Sequence, residues 1–137
     1  MGLVQRPAGQ QHRSDAVYTV RSSQRHVGNF CSLIMPDGSV QDIGPGSARA
    51  ESTGQWLSPH TGATYPSGWL VELPEQQLVL RVTPQLQDQE LYFPGAVFAG
   101  PTYWEGAVDV HASGAGSPTG VGYVELTGYA QLEPTSQ

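Results

Sequence analysis

The sequence predicts an all-β domain, a barrel or a sandwich, and three observations lead there. Two long stretches, residues 103–112 and 121–129, alternate apolar and polar side chains, the pattern of a strand with one face buried. Roughly seven to nine such segments, most of them short, are separated by Gly, Pro, Asp and Ser turn signals. No segment sustains a helical period, and only residues 84–88 have room for a single helical turn.

The two long stretches make the firmest element. Residues 113–120 between them read Ser-Gly-Ala-Gly-Ser-Pro-Thr-Gly, nearly all turn formers, so an antiparallel hairpin with an extended loop is expected. With Val110 opposite Val124, Val108 lies beside Leu126 and Gly106 beside Gly128, and Trp104 extends the same apolar face. Tyr103, Glu105, Asp109 and His111, with Tyr123, Glu125, Thr127 and Tyr129, occupy the other face. This register sets Asp109 opposite Glu125. A slip of two residues changes the pairs without exchanging the faces, because the side-chain period is two.

From the N-terminus, residues 1–15 are rich in Gln, Arg, Gly and Pro and read as a flexible arm outside the core. Residues 16–21 form a β-rich segment, 22–28 a polar link and 29–35 a second strand that ends in the turn Pro36-Asp37-Gly38-Ser39. Residues 40–43 start a third strand, 44–47 end it, and 48–52 and 55–58 are weaker pieces around Thr53 and Gly54. Residues 59–68 hold too many breakers to be regular. Residues 69–73 and 78–82 make a second hairpin joined by 74–77, and 89–93 make one more short strand. A single β-domain over 16–131 is therefore expected, followed by a tail at 132–137. Its interior would gather Trp69, Val71, Leu73, Leu78, Leu80, Val82, Trp104, Val108, Val110, Val124 and Leu126. Burial of each large apolar side chain contributes ~1.5–3 kcal/mol, enough in sum to oppose the chain entropy of one small domain.

Composition narrows the function. At 137 residues the chain fits one domain. Six basic residues, all of them arginine, stand against twelve acidic ones, for a net charge of −6. That balance lacks the basic stripe a phosphate backbone requires, so no nucleic-acid partner is expected. Cys31 is the single cysteine, which excludes an intramolecular disulfide and a multi-cysteine zinc site; in the apolar run around Leu33 and Ile34 it reads as a small buried hydrophobe. The N-terminus has no apolar signal region and the chain has no membrane-length apolar run, so no membrane span and, as written, a cytoplasmic location are expected.

The polar face of the long hairpin is the one constellation with catalytic potential. Glu105, Asp109, Glu125 and His111, with Tyr103, Tyr123 and Tyr129, would supply an acid and a base. Two close carboxylates shielded from water cannot both ionise cheaply, and one would keep a proton suited to an alkene or polyene. Left wet, the same face is only the outside of a sheet. Asp109 and His111 on one strand face, with His60 in a loop, would offer metal ligands, but such sets are common by chance, and no metal or cofactor is expected. There is no Gly-x-Ser-x-Gly elbow, and the glycines of 114–120 lead into a strand rather than a helix, so neither a serine nucleophile nor a phosphate cradle finds support.

Four stretches taken in order resemble a known family: Tyr65-Pro66 to Trp69; Arg81-Val82-Thr83-Pro84 to Asp88-Gln89-Glu90-Leu91; Tyr103-Trp104-Glu105-Gly106; and Gly122-Tyr123-Val124-Glu125-Leu126-Thr127-Gly128-Tyr129. They resemble the C-terminal half of the AttH-like and carotenoid 1,2-hydratase-like proteins, over roughly residues 28–130. The resemblance implies a lipocalin-like (calycin) antiparallel barrel or partly open β-sandwich, one of two such barrels in tandem. The family includes hydratases acting on carotenoids, related fungal pericyclases and many bacterial proteins without an assigned activity, and its members are often exported. Their common theme is an apolar small molecule held inside β-structure. This sequence departs from the pattern: the N-terminal barrel is missing, as is the Trp-containing strand and Asp-Gly turn that usually open the C-terminal one.

Three functions follow as expectations. The first is a binding module whose interior accepts a hydrophobic small molecule, lined by Trp69, Trp104, Val108, Val110 and Leu126, with Tyr123. The second is a hydratase- or cyclase-type enzyme with Glu105 as proton donor, Tyr103 or Tyr123 steering charge, and Asp109 and Glu125 beside them. The third is an interaction domain whose interior its own side chains fill. Because a short barrel leaves strand edges unpaired, a homodimer is expected, the second copy closing the sheet or standing in for the missing barrel.

Overall fold

The computed structural model describes residues 2–4, 6–7, 14–22, 25–35, 37–93, 101–113 and 119–130. Its strands, in chain order, are β1 (Gly2–Val4), β2 (Arg6–Pro7), β3 (Ser14–Ser22), β4 (Arg25–Ile34), β5 (Val40–Ile43), β6 (Arg49–Leu57), β7 (Thr64–Leu73), β8 (Leu78–Pro84), β9 (Glu90–Leu91), β10 (Tyr103–Ala112) and β11 (Thr119–Thr127). A four-stranded sheet runs β1-β3-β4-β5, and a seven-stranded one runs β2-β11-β10-β8-β7-β6, with β9 also on β10. All pairings are antiparallel. β1 and β2 are separated by one residue yet belong to different sheets, which links the sheets on that side. Among the described residues no ladder joins β5 to β6, so the two sheets do not close into one barrel. No helix there is long and apolar enough to cross a membrane.

The core follows the period-two pattern. Trp69, Val71, Leu73, Leu80, Val82, Trp104, Val108, Val110, Val124 and Leu126 all point inward and are buried, and Leu78 packs against them half-buried. Cys31, Leu33 and Ile43 of the other sheet join the same cluster, so the two sheets share one interior. The hairpin of β7 and β8 forms as expected, with Trp69 opposite Val82 and Leu73 opposite Leu78. Its link is a 3-10 turn over Pro74–Gln76, closed by Gln77 in the left-handed region.

Several expectations are corrected. The β10–β11 register sets Trp104 opposite Leu126, Gly106 opposite Val124 and Val110 opposite Gly120, four residues away from the expected pairing. The faces survive this shift because it is even. β11 already begins at Thr119, two residues early, shortening the loop. Residues 49–57 form one continuous strand through Thr53 and Gly54. Residues 64–68 belong to β7 although they hold Pro66 and Gly68. The ladder from β7 to β8 begins only at Trp69, so Pro66 sits where no β8 partner needs its missing N–H. Gly68 has φ of +72°, and a Cβ there would lie 2.7 Å from Thr53 Oγ1, so glycine alone suits the position. Residues 84–88, the one stretch with room for a helical turn, hold none, and the turn described lies at Pro74–Gln76 instead. Two short strands, β1 and β2, fall inside the stretch read as an arm, and β4 starts at Arg25 inside the polar link.

Candidate functional site

The structure divides the sequence-predicted residues between the two faces of the long sheet. Trp69, Trp104, Val108, Val110 and Leu126 lie together on the buried face, each no more than 5% exposed. The indoles of Trp69 and Trp104 meet at 6.2 Å between ring centroids, tilted by 54°. Tyr123 does not join them; it is 44% exposed on the opposite face.

That opposite face carries Tyr103, Glu105, Asp109 and Glu125. The register places Glu105, not Asp109, directly opposite Glu125, while Asp109 stands between Val121 and Thr83. Gln85 Nε2 donates to Asp109 Oδ1 at 2.8 Å. Desolvation first, then the neighbouring Glu105 carboxylate and other nearby negative charge, push the Tyr123 phenol up to about 12. His111 lies between Arg81 and Thr119, whereas His60 sits on the turn after β6. Among the described residues no group of three or more His, Cys, Asp or Glu is arranged to hold a metal ion.

A second cluster, which sequence reasoning did not assemble, surrounds Glu90 of β9. β6 ends at Leu57 and the chain turns back through residues 58–63, closed by Ser58 N donating to Ala63 O at 2.8 Å and Gly62 N to Ser58 O at 3.0 Å. Ser58 is buried, and its Oγ accepts from the backbone N–H groups of His60 at 3.0 Å and Thr61 at 3.2 Å while donating to Glu90 Oε2. Glu90 Oε1 accepts from Thr61 Oγ1 at 2.7 Å and from the Tyr65 hydroxyl at 2.8 Å. Three hydroxyls from one turn and one strand start thus converge on a single carboxylate. Burial first, then the hydrogen bond and charge of Glu90, raise the Tyr65 phenol well above the usual tyrosine value. Tyr65 is therefore a hydrogen-bond donor here and not a base.

Aromatic rings frame this cluster. Tyr65 packs between Trp56, at 5.9 Å, and Tyr129, at 5.5 Å. His60 Nε2 donates to Asp88 Oδ2 at 2.8 Å and its ring stacks on Tyr92 at 5.7 Å. Trp56, Tyr65, Glu90, Trp104 and Tyr129 come from the end of β6, the start of β7, β9, the start of β10 and the segment after β11, which is one end of the long sheet. The position of Tyr65, Glu90, Trp104 and Tyr129 within the family-like stretches was the one signal of the cluster in the sequence.

A profile of the AttH-like family matches residues 11–129. This chain belongs to the AttH-like family. A crystal structure of an AttH protein from Nitrosomonas europaea resembles this AttH-like chain with a TM-score of 0.75 and 28% identity, covering 95% of it and 39% of its own length. Kievitone hydratase from Nectria haematococca resembles it in fold, with a TM-score of 0.65 and 15% identity, over 92% of this chain and 38% of its own. The AttH-like chain thus spans about two fifths of either protein. No curated protein sequence matches it significantly. Its fold is lipocalin-like, with antiparallel sheets that do not close among the described residues.

Proposed function

We propose that this AttH-like domain, taken as residues 16–131, binds an apolar small molecule between its two sheets. The observation that carries the reading is the Trp69–Trp104 pair, set on the buried face of a sheet system left open between β5 and β6. Val108, Val110 and Leu126 continue that apolar surface, and Trp56, Tyr65 and Tyr129 form an aromatic collar at its end. Titration with anilinonaphthalene sulfonate tests it, read as energy transfer from tryptophan and competed with palmitate. Saturable binding at one dye per site, displaced by palmitate, is the expected result; a linear, unsaturable signal sinks the reading.

A second reading, hydratase- or cyclase-type acid chemistry at Glu105, is favoured by the direct opposition of Glu105 and Glu125 and by the influence of Glu105 on the Tyr123 phenol. Similarity in fold to kievitone hydratase agrees with it without supplying the residues. Turnover of an apolar alkene lost in Glu105→Gln and kept in Asp109→Asn is the result it requires. A homodimer belongs to either reading, since β5 and β6 each have one neighbour among the described residues. Light scattering that finds a monomer across micromolar concentrations removes the dimer from both.

A further inference from the structure

The segment between β8 and β9, residues 85–89, crosses the sheet end without being a strand. β10 pairs with β8 from Val108 onward and with β9 at Tyr103 and Trp104, so its residues 105–107 face neither. Backbone bonds cover part of the interval: Glu105 N donates to Gln89 O at 3.2 Å and Gln85 N donates to Ala107 O at 3.0 Å. The rest is done by a side chain. Ala107 N donates to Gln89 Oε1 at 2.9 Å, and Gln89 Nε2 donates to Leu86 O at 2.8 Å and to Ala107 O at 3.3 Å. The amide of Gln89 therefore stands where a neighbouring strand would place a peptide group. A Cβ on Gly106 would come within 2.1 Å of that amide, so the bare glycine is what lets it lie there.

This crossing caps Trp104, one member of the aromatic pair. Trp104 Nε1 donates to Gln87 O at 2.7 Å, so the indole is capped by the segment itself. On the far side Ser67 Oγ donates to Gln87 Oε1 at 2.8 Å, tying it to β7. Gln85, Leu86, Gln87 and Asp88 are all exposed, and Leu86 is 66% exposed despite being apolar, so no packing holds the segment's outer surface. Two further ties, Gln85 Nε2 donating to Asp109 Oδ1 at 2.8 Å and His60 Nε2 donating to Asp88 Oδ2 at 2.8 Å, are likewise exposed. The segment is thus fastened largely by hydrogen bonds that water can replace, and such a segment opens more readily than one packed by buried apolar side chains.

We propose that residues 85–89 form a detachable cover over Trp104, latched by the Gln89 amide, and that an apolar molecule reaches the Trp69–Trp104 pair by displacing it. The entry route rests on the binding role proposed above; the cover does not. Two ligand-free measurements test the cover. In the wild-type protein the Ala107 amide exchanges with deuterium about tenfold faster than that of Val82, which lies in a strand paired on both sides. Gln89→Met, which keeps the length of the side chain and removes its amide, raises acrylamide quenching of tryptophan emission several-fold while the fold is retained. Gly106→Ala displaces the Gln89 amide by contact and gives the same change should the methionine variant not fold. Equal exchange at Ala107 and Val82, or quenching unaltered in the variants, overturns the cover.

Stopped-flow mixing with anilinonaphthalene sulfonate tests the route. Association and dissociation rates rise together by about tenfold in Gln89→Met, with little change in Kd. Faster quenching with an unchanged dye association rate overturns the route and leaves the cover standing. A wild-type protein that takes up no dye overturns the binding role and the route together, while exchange and quenching still decide the cover.

Discussion

The hydroxyl of Tyr65 donates to Glu90 Oε1 at 2.8 Å, fastening the start of β7 to β9 across 25 residues of sequence. A hydrogen bond to a carboxylate contributes ~1.5–3 kcal/mol when its donor is buried. Tyr65→Phe keeps the ring between Trp56 and Tyr129 and removes only this bond. Its urea midpoint is expected to fall by a corresponding amount, with the denaturant slope unchanged; an unaltered midpoint would show that water replaces the hydroxyl at no cost.

Alkaline pH should weaken the fold through two phenols. Tyr65 and Tyr123 both hold their protons more tightly when folded than when unfolded. For a group with a raised folded pKa, the stabilisation is complete below the unfolded value, near 10 for tyrosine, and is lost as pH rises toward the folded value. Stability is therefore expected to decline from about pH 10 upward, the Tyr123 contribution ending at about 12 and the Tyr65 contribution extending further. Tyr65→Phe flattens that decline. Glu105→Gln brings the ultraviolet titration of Tyr123 back toward the usual tyrosine value, though not fully, since desolvation is the larger cause.

Gly68→Ala is expected to destabilise through two separable effects. The backbone at φ +72° costs an L-residue roughly 1–2 kcal/mol, and the new methyl meets Thr53 Oγ1 at 2.7 Å. Adding Thr53→Ala removes the contact and leaves the backbone strain. Thermal denaturation of the two variants should show partial recovery; full recovery would mean that the left-handed conformation is not retained.

Core and surface apolar residues should respond very differently to truncation. Trp69→Ala leaves a cavity beside Trp104 and is expected to cost ~3–5 kcal/mol. Val40→Ala, at a position 62% exposed, should stay within about 0.5 kcal/mol. Chemical denaturation of both compares them on one scale.

Much of the fold was legible in the sequence because strand faces depend only on parity. The alternation through Trp104, Val108 and Val110, and through Val124 and Leu126, assigned every one of these residues to the buried side, and the structure agrees. The same parity hid the register: a loop of glycine and serine lets β11 slide on β10 in steps of two without moving any side chain to the wrong face. Asp109 and Glu125 were thereby paired in error, and Glu105 and Glu125 were missed as partners. Breaker residues misled in a second way. Pro66 and Gly68 argue for a loop when read locally, yet β6 offers residues 64–68 a ladder that outweighs local propensity.

By itself, then, the sequence determined the class of fold, the two faces of its long strands and the apolar set that fills it, since these follow from the order of side chains along one strand. Tertiary structure alone decided what meets what. The convergence of Ser58, Thr61 and Tyr65 on Glu90, and the Gln89 amide lying over Gly106, join residues from separate turns and strands. Hydrogen bonds have a reach of about 3 Å and no sequence period, so their partners are set by how the strands and turns pack and not by any pattern along the chain.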